Sequence, residues 1–354
     1  MKKELLIATA LTAFVGAGVA EAATASFSGN VRNGVKGVDT DGTADGTYAS
    51  SRQSSLSFSV SETLDSGTSI SSGFNVIDEG SSDIGDNSGI TLTFVSGAKL
   101  DLIEAGSAYA THTATVPGAS GEQGVSGLSS NHAPTGLNFS GSNDDVGFEW
   151  HSAADFMGTD GLKVGVSAGF GDDGDGVSVS TAETSFSVGV SYVSTAGDTT
   201  ITIGGGYMSA ADSNGGTSND KADETTVAIS AVTGDLTVGV GYSAGSYVFS
   251  DASSTTESEE VDGAEVMTAG ASYVSGDMTF AVGYADGEAK DTANLGGAGA
   301  NTDAADSLNA SVSYAIASGV TGVAGFKQVD SSDEGTADTA NSGSSWYIGA
   351  NLSF

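Results

Sequence analysis

The stretch TTVAISAVTGDLTVGVGYS, residues 225–243, decides the fold class of this chain. Val227 and Ile229 lie at every second position before the turn sequence Thr-Gly-Asp, and Leu236 and Val238 repeat the spacing after it. Such alternation indicates a β-strand with one face in an apolar environment and the other in water. A short Gly-containing connection between two such runs indicates a hairpin. The stretch therefore predicts two antiparallel strands that share one apolar face.

The same alternation recurs along the chain from residue 25 to its end. Sixteen segments show it, an even number: residues 25–38, 54–61, 68–77, 89–96, 97–104, 144–151, 161–170, 184–193, 199–208, 225–232, 234–243, 264–274, 276–285, 306–316, 320–329 and 345–354.

The connections between these segments carry a second, independent signal, because short and long ones alternate. The short ones, mostly Gly-containing turns, are residues 64–67, 96–97, 195–198, 233–235, 275–277 and 318–319, with a longer one at 152–161. The long ones, rich in Asp, Glu, Gly and Ser, are residues 38–47, 78–88, 106–143, 171–183, 209–224, 244–263, 286–307 and 330–345. In an antiparallel meander, this puts all turns at one end and all loops at the other, as in a transmembrane barrel.

A soluble β-sandwich is the alternative, because its strands alternate too. A sandwich of this size needs large residues between its sheets, whereas the second face of these strands is Ser, Thr, Gly, Asn and Asp almost throughout. Small polar residues suit a water-filled lumen, and the apolar face suits lipid. We therefore predict an all-β fold, a 16-stranded antiparallel transmembrane β-barrel with short periplasmic turns and long outer loops.

The first 22 residues predict export. Lys2 and Lys3 precede an apolar run from Leu5 to Ala20, and Ala20 and Ala22 suit a signal peptidase. The run is shorter than the roughly 20 residues that span a bilayer as a helix. We expect residues 1–22 to be a signal peptide and residues 23–354 to be the barrel domain, in the outer membrane of a Gram-negative cell.

Composition argues against several functional classes. The formal net charge is −35 and stays at −35 without residues 1–22, which hold two lysines and two glutamates. Nucleic acid is therefore not expected as a partner, because phosphate binding needs a basic face. The chain has no Cys, its three histidines lie in or just after a loop, and the sequence shows no nucleophile-and-base constellation. We expect neither enzymatic activity nor an organic cofactor.

A second functional class stays open at this point: an exported acidic adhesin or surface-layer protein built as a calcium-bound solenoid. A solenoid needs a fixed short repeat, whereas the strand spacing here is irregular in a long-short rhythm.

Two stretches carry a resemblance to a known family. The carboxy-terminal SSWYIGANLSF, which ends in Phe354, and RQSSLSFSVSETLDSGTSISSGF, residues 52–74, resemble alphaproteobacterial general-diffusion porins. The resemblance covers essentially all of residues 23–354. It implies a homotrimer in outer-membrane lipid, passive passage of small hydrophilic solutes and ions, a third loop folded inward, and a terminal Phe354 that the assembly machinery reads. Two departures are the missing P-E-F-G-G type motif in that loop and the few arginines in the wall.

Selectivity in a pore depends on its bore and on the charges at its narrowest section. The candidate constriction loop is residues 105–143, and its candidate charged groups are His112, Glu122 and the adjacent Glu104; a solvated outer loop is the alternative. Strand parity selects the candidate wall cations Arg32, Lys36 and Lys99. Lys163 also has polar parity, whereas Arg52 has the parity of Leu56 and Phe58. The large excess of acids predicts a preference for cations.

One acidic stretch of the sequence resembles a calcium-binding loop. Asp173 and Asp175 in GDDGDG resemble the start of an oxygen-ligand loop, but the downstream bidentate Glu is missing. No specific metal site is expected there, although acidic outer loops could hold Ca²⁺ without a motif.

Overall fold

The structure is a computed structural model that describes residues 23–40, 47–78, 89–102, 107–119, 147–169, 184–211, 221–250, 258–291, 301–332 and 342–354. It contains 16 strands: β1 (Thr24–Thr40), β2 (Thr47–Thr63), β3 (Ser69–Asp78), β4 (Ile90–Thr93), β5 (Lys99–Leu102), β6 (Gly147–His151), β7 (Leu162–Gly169), β8 (Thr184–Ala196), β9 (Thr199–Ala211), β10 (Lys221–Thr233), β11 (Leu236–Ser250), β12 (Ser258–Ser275), β13 (Met278–Asp291), β14 (Asn301–Ala317), β15 (Val320–Ser332) and β16 (Gly343–Ser353). A short helix, α1 (Ala108–His112), lies between β5 and β6, and a 3₁₀ turn (Phe156–Gly158) lies between β6 and β7. Within these described ranges, no helix is long and apolar enough to cross a membrane.

The sheet is a closed barrel in which every strand pairs antiparallel with its neighbours in sequence, and β16 pairs with β1. The predicted 16-stranded antiparallel barrel is confirmed. Closure removes the exposed edges that an open sheet would leave unpaired. The solenoid alternative is wrong, because its strands would stack in a line and would not return to the first one.

Strand register keeps the alternation in phase around the wall and separates two faces. Phe27 of β1 lies opposite Phe58 of β2, which lies opposite Phe74 of β3, with ring centroids 5.0 and 5.3 Å apart. This apolar face is well exposed, for example 51% at Val240 and 58% at Ile348. The other face, called here the polar face, carries mostly Ser, Thr, Gly and a few charged residues.

The short connections lie at one end of the barrel, as predicted. Six glycines there have positive φ, which a tight hairpin turn requires and a larger residue resists: Gly67, Gly97, Gly197, Gly234, Gly276 and Gly319. The longer β6–β7 connection is also present, and its Asp155 side chain accepts a hydrogen bond from the Gly161 N–H at 2.7 Å.

Several strands extend into ranges that the sequence predicts to be loops. β11 ends at Ser250 and β12 begins at Ser258, both inside the predicted connection 244–263, and pairs such as Val248 with Glu260 continue the ladder. The predicted ends were wrong because apolar alternation marks only the part of a strand that needs an apolar environment. Backbone pairing needs no such alternation and continues beyond it.

The chain terminus closes the barrel. Gly29 and Phe354 exchange two backbone hydrogen bonds of 3.1 Å, so the last residue is paired with β1. Gly29 has no side chain, and the Phe354 ring occupies the space beside it.

Candidate functional site

Residues 107–119, called here the loop segment, lie against the polar face of the wall. At one end the backbone N–H of Ala108 donates to Ser167 Oγ of β7 at 3.2 Å. Farther along, the Tyr109 hydroxyl donates to Glu224 of β10 at 3.0 Å, and the Ala119 N–H donates to Asn309 Oδ1 of β14 at 2.8 Å. The segment therefore crosses from β7 to β14 along one face of the sheet.

Glycines on the polar face make room for the loop segment. A β-carbon at Gly206 would lie 2.7 Å from Cα of Tyr109, and one at Gly270 would overlap the carbonyl oxygen of Pro117. Both positions require glycine because the two backbones are closer than the van der Waals contact of a side chain allows. These two residues and six others form a glycine track, defined by segment atoms within 3.2 Å of the β-carbon position: Gly165, Gly189, Gly204, Gly239, Gly241 and Gly283.

A polar cluster fixes helix α1 to the wall. His112 Nδ1 lies 3.0 Å from Ser191 Oγ, and His112 Nε2 lies 3.1 Å from Nδ1 of His151. His151 Nε2 is 3.0 Å from Glu149 Oε1, and the same oxygen accepts a hydrogen bond from Thr111 at 2.9 Å. His112 and Glu149 are buried, so this cluster has little access to bulk water.

Burial shifts the pKa of both titratable residues of α1. Burial, together with the neighbouring His151, lowers the pKa of His112 to about 4, so His112 is neutral at pH 7. Burial also raises the pKa of Tyr109, to which the charge of Glu224 adds, so the phenol stays protonated and donates.

Basic side chains outnumber acidic ones on the polar face of the described strands. Among the side chains that the structure describes, the strands carry bases at Arg32, Lys36, Lys99, Lys163 and Lys327 and acids at Asp101, Glu149 and Glu224. Arg32 donates to the side chain of Gln53 on β2. Lys327 lies directly opposite Asn309, the residue that holds the far end of the loop segment. The excess of acids in the sequence is therefore located outside this part of the wall.

A sequence model of the family described as Gram-negative porin matches residues 8–334, which is most of the chain. The chain belongs to the Gram-negative porin family. It is an outer-membrane channel protein, and its barrel is the transmembrane domain of that family.

Solved porin structures have the same fold. The chain is similar to OmpT of Vibrio cholerae in its trimer form, at 18% identity and TM-score 0.60, covering 94% of this chain and 100% of that one. It is also similar to Salmonella typhi OmpF in complex with daunomycin, at 13% identity and TM-score 0.67, over 93% and 97%. An anion-selective porin from Comamonas acidovorans matches at 14% identity and TM-score 0.60, over 94% and 100%. No curated protein matches the chain significantly in sequence.

In this porin structure, the predicted wall residues lie on the faces that strand alternation assigns to them. Arg32, Lys36 and Lys99 lie on the polar face, and Arg52 has the apolar parity. His112 is a wall contact of α1 and is 4% exposed. Phe354 pairs with β1. The remaining candidates, Glu104, Glu122, Asp173 and Asp175, lie outside the described residues.

Sequence reasoning missed several polar-face residues of this porin. Lys327 follows Phe326, and Glu149 and His151 alternate with Phe148 and Trp150, so the parity rule could have found all three. It could not have found the partner of Tyr109, because Glu224 is 115 residues away in sequence.

Proposed function

We propose that this chain is a general-diffusion porin of the alphaproteobacterial type, which passes small hydrophilic solutes and ions passively and prefers cations. The observation that carries the proposal is the separation of the wall into two faces. In a bilayer, the exposed apolar face must meet lipid, because no other surface of the barrel could do so without burying charge. The polar face then encloses a water-filled lumen.

The loop segment supports a narrowed lumen. It contacts the polar face along the glycine track from β7 to β13, and its last described residue is bonded to β14. A segment on that face occupies part of the lumen cross-section. We therefore propose that the third loop, residues 105–143, folds inward and sets the bore.

Cation preference would come from charges outside the narrow section. The polar face of the described strands holds more bases than acids, whereas the whole chain has 45 acids and 10 bases. Acids grouped toward the loop ends of the strands would concentrate cations at the entrance and repel anions.

Assembly and processing are also part of the proposal. The exposed apolar face, together with the trimer form of the similar OmpT, supports a homotrimer. The Phe354 carboxy terminus, paired with β1, is a suitable assembly signal, and residues 1–22 would be removed during export. Calcium at the acidic outer loops remains a prediction.

The test is the conductance of single channels of purified mature protein in a planar bilayer, with the reversal potential in a salt gradient. We expect conductance steps in groups of three and a reversal potential biased toward cations. Folded protein without conductance would contradict the channel, and an anion bias would contradict the selectivity.

A further inference from the structure

Three side chains on adjacent strands bring metal-binding atoms together beside the loop segment. Asp101 of β5 lies directly opposite Glu149 of β6, and His151 is two residues farther along the same face. One ligand atom from each lies within 4.8 Å of the other two. We propose that Asp101, Glu149 and His151 bind a divalent transition-metal ion, with Zn²⁺ as the ion of best fit.

The donor atoms select the class of ion. Imidazole nitrogen with carboxylate oxygen suits zinc and its neighbours in the first transition row, whereas Ca²⁺ and Mg²⁺ prefer oxygen alone. The spacing also fits. Two ligands that each lie about 2.0–2.1 Å from one tetrahedral zinc ion are roughly 3.3 Å apart. His151 Nε2 and Glu149 Oε1 are 3.0 Å apart.

The side chains that hydrogen-bond to the three proposed ligands also fit a metal site. A metal-binding histidine usually donates its second ring N–H to a fixed acceptor. His151 Nδ1 lies 3.1 Å from His112 Nε2, and His112 is held in turn by Ser191. The hydroxyls of Thr111 and Thr91 donate to the carboxylates of Glu149 and Asp101. With this orientation, Nε2 of His151 can offer its lone pair to the ion.

Such an ion would join the third loop to the wall. Asp101, Glu149 and His151 belong to the wall, whereas His112 and Thr111, which contact two of them, belong to α1. Bound metal would therefore stabilise the position of α1 on β6 and β7. Metal binding is separate from the channel proposal, because it can be measured without any conductance.

The experiment is a zinc titration of folded, untagged porin in detergent, followed by calorimetry in a large excess of Mg²⁺. The Mg²⁺ saturates the many acidic groups that bind any dication. We expect about one Zn²⁺ per chain and, with Co²⁺ as the probe, visible absorption bands of a nitrogen-containing site. His151→Ala should abolish both signals, and His112→Ala should weaken zinc binding by about ten- to a hundredfold.

Glu265→Gln is the matched control, since Glu265 is a wall carboxylate that also accepts a tyrosine hydrogen bond, from Tyr242, but lies on the apolar face, opposite to the face that α1 contacts. This variant should bind zinc like the wild type. If His151→Ala fails to fold, His151→Gln and Glu149→Gln give the same test, with folding checked by circular dichroism. The proposal is overturned if the wild type binds no zinc in excess Mg²⁺, or if folded His151 and Glu149 variants bind it equally well. The cluster would then be an ion pair of His151 with Glu149.

Discussion

Two tyrosine–glutamate hydrogen bonds lie on opposite faces of the wall, and only one of them involves the loop segment. Removing each bond in turn shows whether that bond holds the segment in place. Tyr109 donates to Glu224 on the polar face, and Tyr242 donates to Glu265 at 2.7 Å on the apolar face. A hydrogen bond to a charged group contributes about 1.5–3 kcal/mol. Tyr109→Phe should therefore loosen the segment and increase fluctuations of the open-channel current. Tyr242→Phe removes the same hydroxyl from the apolar face and should leave the current trace unchanged. Equal current fluctuations in the two variants would contradict the proposal that the Tyr109–Glu224 bond anchors the loop segment.

Lys327 should oppose cation flow, because its ammonium lies on the polar face opposite Asn309. A unit charge about 8 Å away in water has an interaction energy of roughly 0.5 kcal/mol. Lys327→Gln should then favour cations roughly twofold and disfavour anions roughly twofold, which raises the cation-to-anion permeability ratio by roughly fivefold, as measured from the reversal potential. Arg52→Gln removes the same charge at the apolar parity and should not change the ratio. A larger effect from Arg52 would contradict the assignment of the faces.

At the scale of strands and loops, the glycine track predicts which substitutions widen the pore. A valine at Gly270 would overlap the Pro117 carbonyl oxygen, so Gly270→Val should displace the loop segment and raise single-channel conductance. Gly322 of β15 is the control, because the nearest atom to its β-carbon position is the flexible end of Ile316 at 3.4 Å. Gly322→Val should fold and conduct like the wild type. Unchanged conductance in a folded Gly270→Val protein would mean that the segment does not limit the pore.

The strands were predictable and their loop-side ends were not, for physical reasons. Alternation reports the environment of side chains, so it identified every strand and the face of Arg32, Lys36 and Lys99. It does not report backbone pairing, so it missed the extension of β11 to Ser250. The glycine track was visible as composition, but its cause is a contact with Val116, Pro117 and their neighbours that no local pattern encodes.

At the scale of the whole molecule, closure of the barrel separates two sets of charges. The bases Arg32, Lys36 and Lys327 lie on the polar face of β1 and β15, which flank β16. Acids such as Asp286, Asp306 and Asp330 lie in one row across β13–β15, at the apolar parity and toward the loop ends. The net charge of −35 is thus a property of the rims and loops more than of the polar face of the described strands.

This separation predicts how selectivity depends on salt. The screening length falls from about 30 Å at 0.01 M to about 3 Å at 1 M, so distant acids act on a permeating ion only in dilute salt. The cation-to-anion permeability ratio should therefore fall toward one as salt rises at a constant gradient ratio. The effect of Lys327→Gln should persist at higher salt than the effect of the rim acids, because Lys327 lies on the polar face opposite Asn309 and not at a strand end. A permeability ratio that stays constant from dilute to concentrated salt would instead locate the selecting charges within a few ångströms of the ion.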